Sequence, residues 1–184
     1  MRKMLLVLLL IVAVSGIGFA QWRADMGLDV VSSIGVSVET EDGTLNEAFD
    51  VLSNVIVPLP DFTVGYEARL GPVNLGAGGR MFTLLLESVI YPNVFAEVQV
   101  GPVVGSLNVG GGLFMTFGLL TTAANEGRLA NISTQGFYLP DIAAAVQLGE
   151  SFRLGAGMMA LVSDQLQGAL PYLFYLNGKF LIRW

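Results

Sequence analysis

Eight stretches of this chain alternate apolar residues with polar or small ones, and in none of them does a charge fall on the apolar face. From Trp22 to Thr40 the even positions read Trp22, Ala24, Met26, Leu28, Val30, Ser32, Ile34, Val36 and Val38, while Arg23, Asp25, Asp29 and Glu39 take odd positions. Period-two alternation belongs to β-strands with one face in an apolar medium. A slip of one residue would turn every charge onto that face, where each would cost about 2–4 kcal/mol at mid-bilayer. The pattern predicts a barrel turned inside out, with its apolar face against lipid.

A soluble barrel would use the same alternation with the apolar face inward. Volume excludes it, because an eight-stranded interior is only just wide enough for side chains to fill and cannot hold all these large residues. The opposite face carries Gly65, Gly76, Gly78, Gly110, Gly112, Gly155 and Gly157, which suits a narrow interior.

The strands are expected at about 22–40, 61–70, 73–85, 93–100, 104–119, 139–148, 152–163 and 171–184. A degenerate hairpin repeat organises them around Gly71, Gly101 and Gly149, where an aliphatic residue precedes Gly-Pro or Gly-Glu and a new strand follows. Short turns at one end and long loops at the other are expected, with 41–60, 86–92, 120–137 and 164–170 facing outside. Trp22, Phe152 and Trp184 form one expected aromatic girdle, and Phe62, Tyr66, Phe117, Tyr172 and Phe174 the other. Trp22 and Trp184 fall at the same level on the first and last strands, as closure requires.

At the amino terminus Arg2 and Lys3 precede an apolar run from Met4 to Val14, and Gly18-Phe19-Ala20 is a small-x-small site. Residues 1–20 read as a secretory signal peptide that is removed, leaving 21–184 as the barrel. The net charge of -6 makes nucleic acid a poor partner. Cysteine is absent, so disulfides and thiolate metal sites are excluded.

The last residues, Asn177-Gly-Lys-Phe-Leu-Ile-Arg-Trp184, resemble the terminal signal read by the barrel-assembly machinery of diderm bacteria. Phe180, Ile182 and Trp184 match its alternating hydrophobics and final aromatic, while Gly178 sits one position early. The whole mature chain resembles the small eight-stranded outer-membrane barrels, the class that includes the OmpW, OmpX and OmpA-barrel families. The resemblance implies an all-β, eight-stranded antiparallel up-and-down transmembrane barrel in a bacterial outer membrane, with membrane lipid and the assembly machinery as partners.

The chain contains no histidine. The barrel enzymes that modify lipid A, cleave phospholipids or cleave proteins depend on that residue as base or orienter, so no enzyme activity, metal or cofactor is expected. Glu67 and Glu97 share inward parity at similar depth, but Arg69, Arg80, Arg153, Lys179 and Arg183 also point inward. An ion-pair network is the expectation for Glu67, Arg69, Arg80, Glu97, Arg153 and Lys179. Further from the turns the same face carries Phe82, Leu84, Phe95, Phe114, Met159, Leu161, Leu173 and Tyr175. An apolar recess on a polar floor is the general form of a small-molecule site, and it resembles the hydrophobic channel of OmpW proteins. The expected function is therefore binding or admission of a small hydrophobic solute. The alternative is a surface interaction or structural barrel whose lumen these side chains plug. Outside the barrel, Thr44-Leu-Asn-Glu47 is a capping box that predicts a short helix over the mouth, on a rim made acidic by Glu39, Glu41, Asp42, Glu47 and Asp50.

Overall fold

In the computed structural model, residues 20–37, 56–84, 86–166 and 169–184 are described. They form an antiparallel barrel of eight strands: β1 (Ala20–Ser37), β2 (Val57–Leu70), β3 (Val73–Leu84), β4 (Glu87–Val100), β5 (Val103–Gly118), β6 (Ala130–Leu148), β7 (Phe152–Ala160) and β8 (Leu170–Arg183). A two-residue piece, Val162–Ser163, continues the β7 register against β6. One helical turn, α1 (Leu119–Ala124), joins β5 to β6. Each strand pairs with its sequence neighbours, and β8 pairs with β1 to close the wall. The closing rung is the expected one: Trp22 N donates to Trp184 O at 3.0 Å and Trp184 N to Trp22 O at 3.1 Å.

The three predicted turns are present. Gly71, Gly101 and Gly149 have φ of 64°, 59° and 71°, a left-handed conformation that glycine adopts without steric cost. Gly71-Pro72 and Gly101-Pro102 are two-residue connections with glycine first, as a hairpin twisted like its strands requires. By the general rule for these barrels, this short-turn end is the periplasmic one and the long-loop end the outer one.

The rungs are staggered. Passing from Leu70 through Val73, Val98, Gly105, Ala144, Ala156, Leu176 and Val30, the ladder returns to β2 at Pro58, twelve residues further along the strand. Eight strands with a shear of about 8 tilt by about 36°, so a stagger of twelve tilts them more steeply and widens the bore. Several large inward side chains lie over a glycine of the neighbouring strand. Phe95 lies on Gly76, Tyr91 on Gly110, Tyr175 on Gly157, and the Lys179 stem on Gly27; a Cβ at any of these glycines would collide with the side chain. Of the seven glycines read from the sequence as lining a narrow interior, Gly76, Gly110 and Gly157 are the beds of large side chains, while Gly65, Gly78 and Gly155 lie closest to the backbone of a neighbouring strand.

The wall carries the expected apolar face. Trp22, Met26, Leu28, Tyr66, Leu75, Val94, Val98, Leu107, Ile142, Leu154, Leu176, Phe180, Ile182 and Trp184 are all exposed outward. Buried within are Arg23, Asp29, Asp61, Glu67, Arg80, Glu97, Asp141 and Arg153. A wall that is apolar outside and charged inside is a membrane wall, and the chain is a small eight-stranded barrel of the bacterial outer membrane.

Four expectations are corrected. Strands β2, β4 and β6 begin at Val57, Glu87 and Ala130, not near 61, 93 and 139, because cross-strand pairing carries proline-bearing and polar sequence that alternation does not mark. Thr134, Ile132 and Ala130 pair with Leu113, Met115 and Phe117, and Pro92 sits in a register break against β5 between Ile90 and Asn93, where a missing N–H is tolerated. The segment 120–137, expected to be loop, is therefore partly α1 and partly β6. In β1 a bulge between Val31 and Ser33 inserts one residue and reverses the phase. Ile34 and Val36, expected to face lipid, now face in, opposite Leu173 and Pro171. Tyr66 belongs to the periplasmic girdle, edge-on to Trp22 with ring centres 5.6 Å apart, because β2 runs downward and Tyr66 pairs directly with Trp22. The signal segment through Phe19 and the capping-box helix at 44–53 lie outside the described residues.

Two glycines separate bed from wall. A Cβ at Gly78 would meet the Val64 carbonyl and the Gly65 Cα, which are backbone and cannot move aside, whereas Gly105 has nothing within 4 Å. Gly78→Ala should lower unfolding free energy by about 1–3 kcal/mol in urea titrations of barrel folded into vesicles. Gly105→Ala should change it by less than about 0.5 kcal/mol.

Candidate functional site: a sealed lumen beneath an apolar recess

Alternation places one inward residue every second position, and the stagger sorts the inward charges into two layers. The periplasmic layer is centred on Arg23 of β1. Its Nη2 donates to Asp25 Oδ2 and to Glu97 Oε1, both at 2.6 Å, and its Nη1 to Glu67 Oε2 at 3.1 Å. Glu97 Oε1 also accepts Arg153 Nη1 at 2.8 Å. Glu67 Oε1 gathers Arg183 Nε at 2.6 Å, Gln21 Nε2 at 2.7 Å and Arg69 Nε at 3.3 Å. Glu67 has no exposed surface at all. The two carboxylates that could have formed an acid–base pair are each held by arginine.

The outer layer is centred on Arg80 of β3. Its Nε and Nη2 straddle Asp61, each at 3.1 Å, in a fork that fixes both planes. Nη1 donates to Asp141 Oδ2 at 2.5 Å, and Nη2 lies 3.5 Å from Asp29 Oδ2. Lys179 Nζ donates to Asp61 and stands 3.4 Å from Asp29 Oδ1. The Tyr175 hydroxyl donates to Asp141. Between the layers a void of about 50 Å³ is lined by Phe95, Val104, Ser106, Asn108, Asn177 and the charges around it. Glu97, Arg153 and Asn177 each keep one buried polar atom with no partner among the described residues, a need that ordered water meets in closed interiors.

All six residues expected in the charge network are in it, divided between the layers. The sequence reading missed Arg23, Asp25, Asp29 and Asp61 as members, although their odd parity in β1 and β2 was the available signal. Asp141 belongs to the outer layer.

The residues expected to form the apolar recess are not all brought together. Phe95 lies between the charge layers, its ring centre 4.8 Å from the Arg23 guanidinium carbon. Tyr175 belongs to the outer charge layer through its hydroxyl. Phe82 covers Arg80, with the guanidinium carbon 4.3 Å from its ring centre, and Leu84 is half exposed at the strand end. Phe114 stacks on Phe137 with ring centres 3.9 Å apart and touches Tyr91 at 5.7 Å, so this side of the outer lumen is closed by aromatic packing. Met159, Leu161 and Leu173 instead line a recess of about 210 Å³ with Ile34, Leu139 and Pro171. Ile34 is there because of the β1 bulge. Phe180, Ile182 and Trp184 all lie on the outer face of β8.

No family model and no curated protein matches the chain. Among solved structures it is similar to Neisserial surface protein A, at 11% identity over 88% of this chain and 96% of that one, with a TM-score of 0.43. The amino-terminal barrel domain of Pseudomonas aeruginosa OprF matches at 9% identity over 89% and 98%, TM-score 0.43. Ail, the attachment invasion locus protein of Yersinia pestis, seen with the heparin analogue sucrose octasulfate, matches at 9% identity over 89% and 99%, TM-score 0.38. At that level of likeness nothing about ligand or partner passes from those proteins to this chain.

The two arginine hubs differ from the rim in what their loss exposes. Arg80→Met leaves three buried carboxylates with Lys179 alone and should cost about 3–5 kcal/mol of unfolding free energy. Arg69→Met, at a side chain 44% exposed, should cost under about 1 kcal/mol. Urea titration of both variants in the same vesicles measures the contrast.

Proposed function

We propose that this outer-membrane barrel captures a small hydrophobic molecule at its outer mouth and does not pass it through the lumen. The observation that carries this reading is the recess of about 210 Å³ lined by Ile34, Leu139, Met159, Leu161, Pro171 and Leu173, placed directly outside two layers of paired charge. An apolar cavity of about 150 Å³ holds benzene, so the recess has room for a single ring with a short arm. The charge layers beneath it have no apolar continuation toward the periplasm, which favours capture over transit.

A second reading, an interaction barrel with an inert lumen, draws on a different feature. Leu86, Leu119, Leu120, Leu129 and Ile132 are more than 60% exposed at the outer ends of β4 to β6. These side chains suit contact with another surface.

The methyl carbon of Met159 reports directly on the recess. In wild-type barrel in lipid nanodiscs, toluene should shift its NMR signal saturably, and Leu161→Trp, which fills the recess, should abolish the shift without lowering the urea midpoint. A shift that never saturates, or one that persists in the filled variant, contradicts capture.

A further inference from the structure

The two charge layers do not balance individually. The periplasmic layer sets Arg23, Arg69, Arg153 and Arg183 against Asp25, Glu67 and Glu97, one positive charge in excess. That excess lies at the wet end, where Arg69 and Arg183 reach solvent, with side chains 44% and 19% exposed. The outer layer sets Arg80 and Lys179 against Asp29, Asp61 and Asp141, one negative charge in excess. This excess is desolvated, because the three carboxylate side chains are only 1–2% exposed. No further cation among the described residues approaches it. Asp29 Oδ1 accepts no hydrogen bond there, and the buried Tyr91 hydroxyl has no partner among the described residues.

The recess sits on this layer strand by strand. On β6 Leu139 lines the recess, and Asp141 is the next inward residue below it. On β7 Met159 is the direct cross-strand partner of Asp141. On β8 Leu173 lines the recess, and the next inward residue is Tyr175, which donates to Asp141. On β1 Ile34 lines it above the bulge, buried Val31 is the next inward residue, opposite Tyr175, and Asp29 follows below Val31. The recess itself is lined by apolar side chains and Tyr172; the nearest charges beneath it are these carboxylates, one cation short and covered by Val31, Met159 and Tyr175. A charge buried without a counter-ion is costly, and a ligand that supplies one gains what this layer lacks.

We infer that the recess selects small hydrophobic amines, the ring or alkyl body lying against Leu139, Met159, Leu161 and Leu173 and the ammonium turned toward Asp141 and Asp29. This rests on the capture reading above and adds the charge of the ligand to it. Benzylamine, toluene and benzoate share a ring and differ in charge. Their dissociation constants are measured from the Met159 methyl shift in zwitterionic nanodiscs at neutral pH and low salt. Benzylamine should bind at least tenfold more tightly than toluene, and benzoate more weakly than either. Asp141→Asn should bring benzylamine to within about twofold of toluene, and Asp29→Asn provides the same comparison should the first variant fold poorly. Toluene binding as well as benzylamine overturns the inference and leaves capture standing, as does an amine preference that survives both substitutions. Saturable binding of none of the three overturns both.

Discussion

Charge that cannot reach water organises this barrel. Twelve ionised side chains point into a lumen about as wide as the side chains themselves, and each is held by a partner of opposite sign. Such a network contributes little net stability over apolar packing, but removing one member leaves an uncompensated charge. Its effect is on register. Arg23 touches residues of β1, β2 and β4, and Arg80 of β3 touches residues of β1, β2 and β6. A strand shifted by two residues would keep its apolar face against lipid and lose these contacts, so alternation selects the face and the ion pairs select the rung.

The same narrowness sets the glycine pattern and the recess. Some large inward side chains use the space over bare backbone, as Phe95 on Gly76, Tyr91 on Gly110 and Tyr175 on Gly157 do. Where aromatic residues meet on the β4 to β6 side, Tyr91, Phe114 and Phe137 close the outer lumen. On the β7, β8 and β1 side the inward residues are aliphatic, and they leave the recess open. Two arcs of one wall thus differ in packing because one stacks rings and the other does not.

The strand count, the turn glycines, the phase of most strands and the Trp22–Trp184 closure were legible in the sequence, because lipid outside and a narrow lumen inside constrain residue type locally. What was not legible depends on partners distant in sequence. The Val31–Ser33 bulge carries no glycine or proline to mark it, so Ile34 and Val36 read as lipid-facing until the pairing with β8 turned them inward. The polar run from Ala130 to Gly136 reads as loop because its strand character comes from β5. Phe95 and Tyr175 have the composition of a recess and the depth of the charge layers, and the stagger of the barrel decided between them.

The central claim is that paired charge closes the lumen, and ion conductance across a planar bilayer tests it most directly. Wild-type barrel inserted into such a bilayer should leave the current at the level of the bare membrane, in conditions where a general porin opens steps. Stable conductance steps from the wild-type chain would show a water-filled path past Arg23 and Arg80, and would contradict the seal beneath the recess.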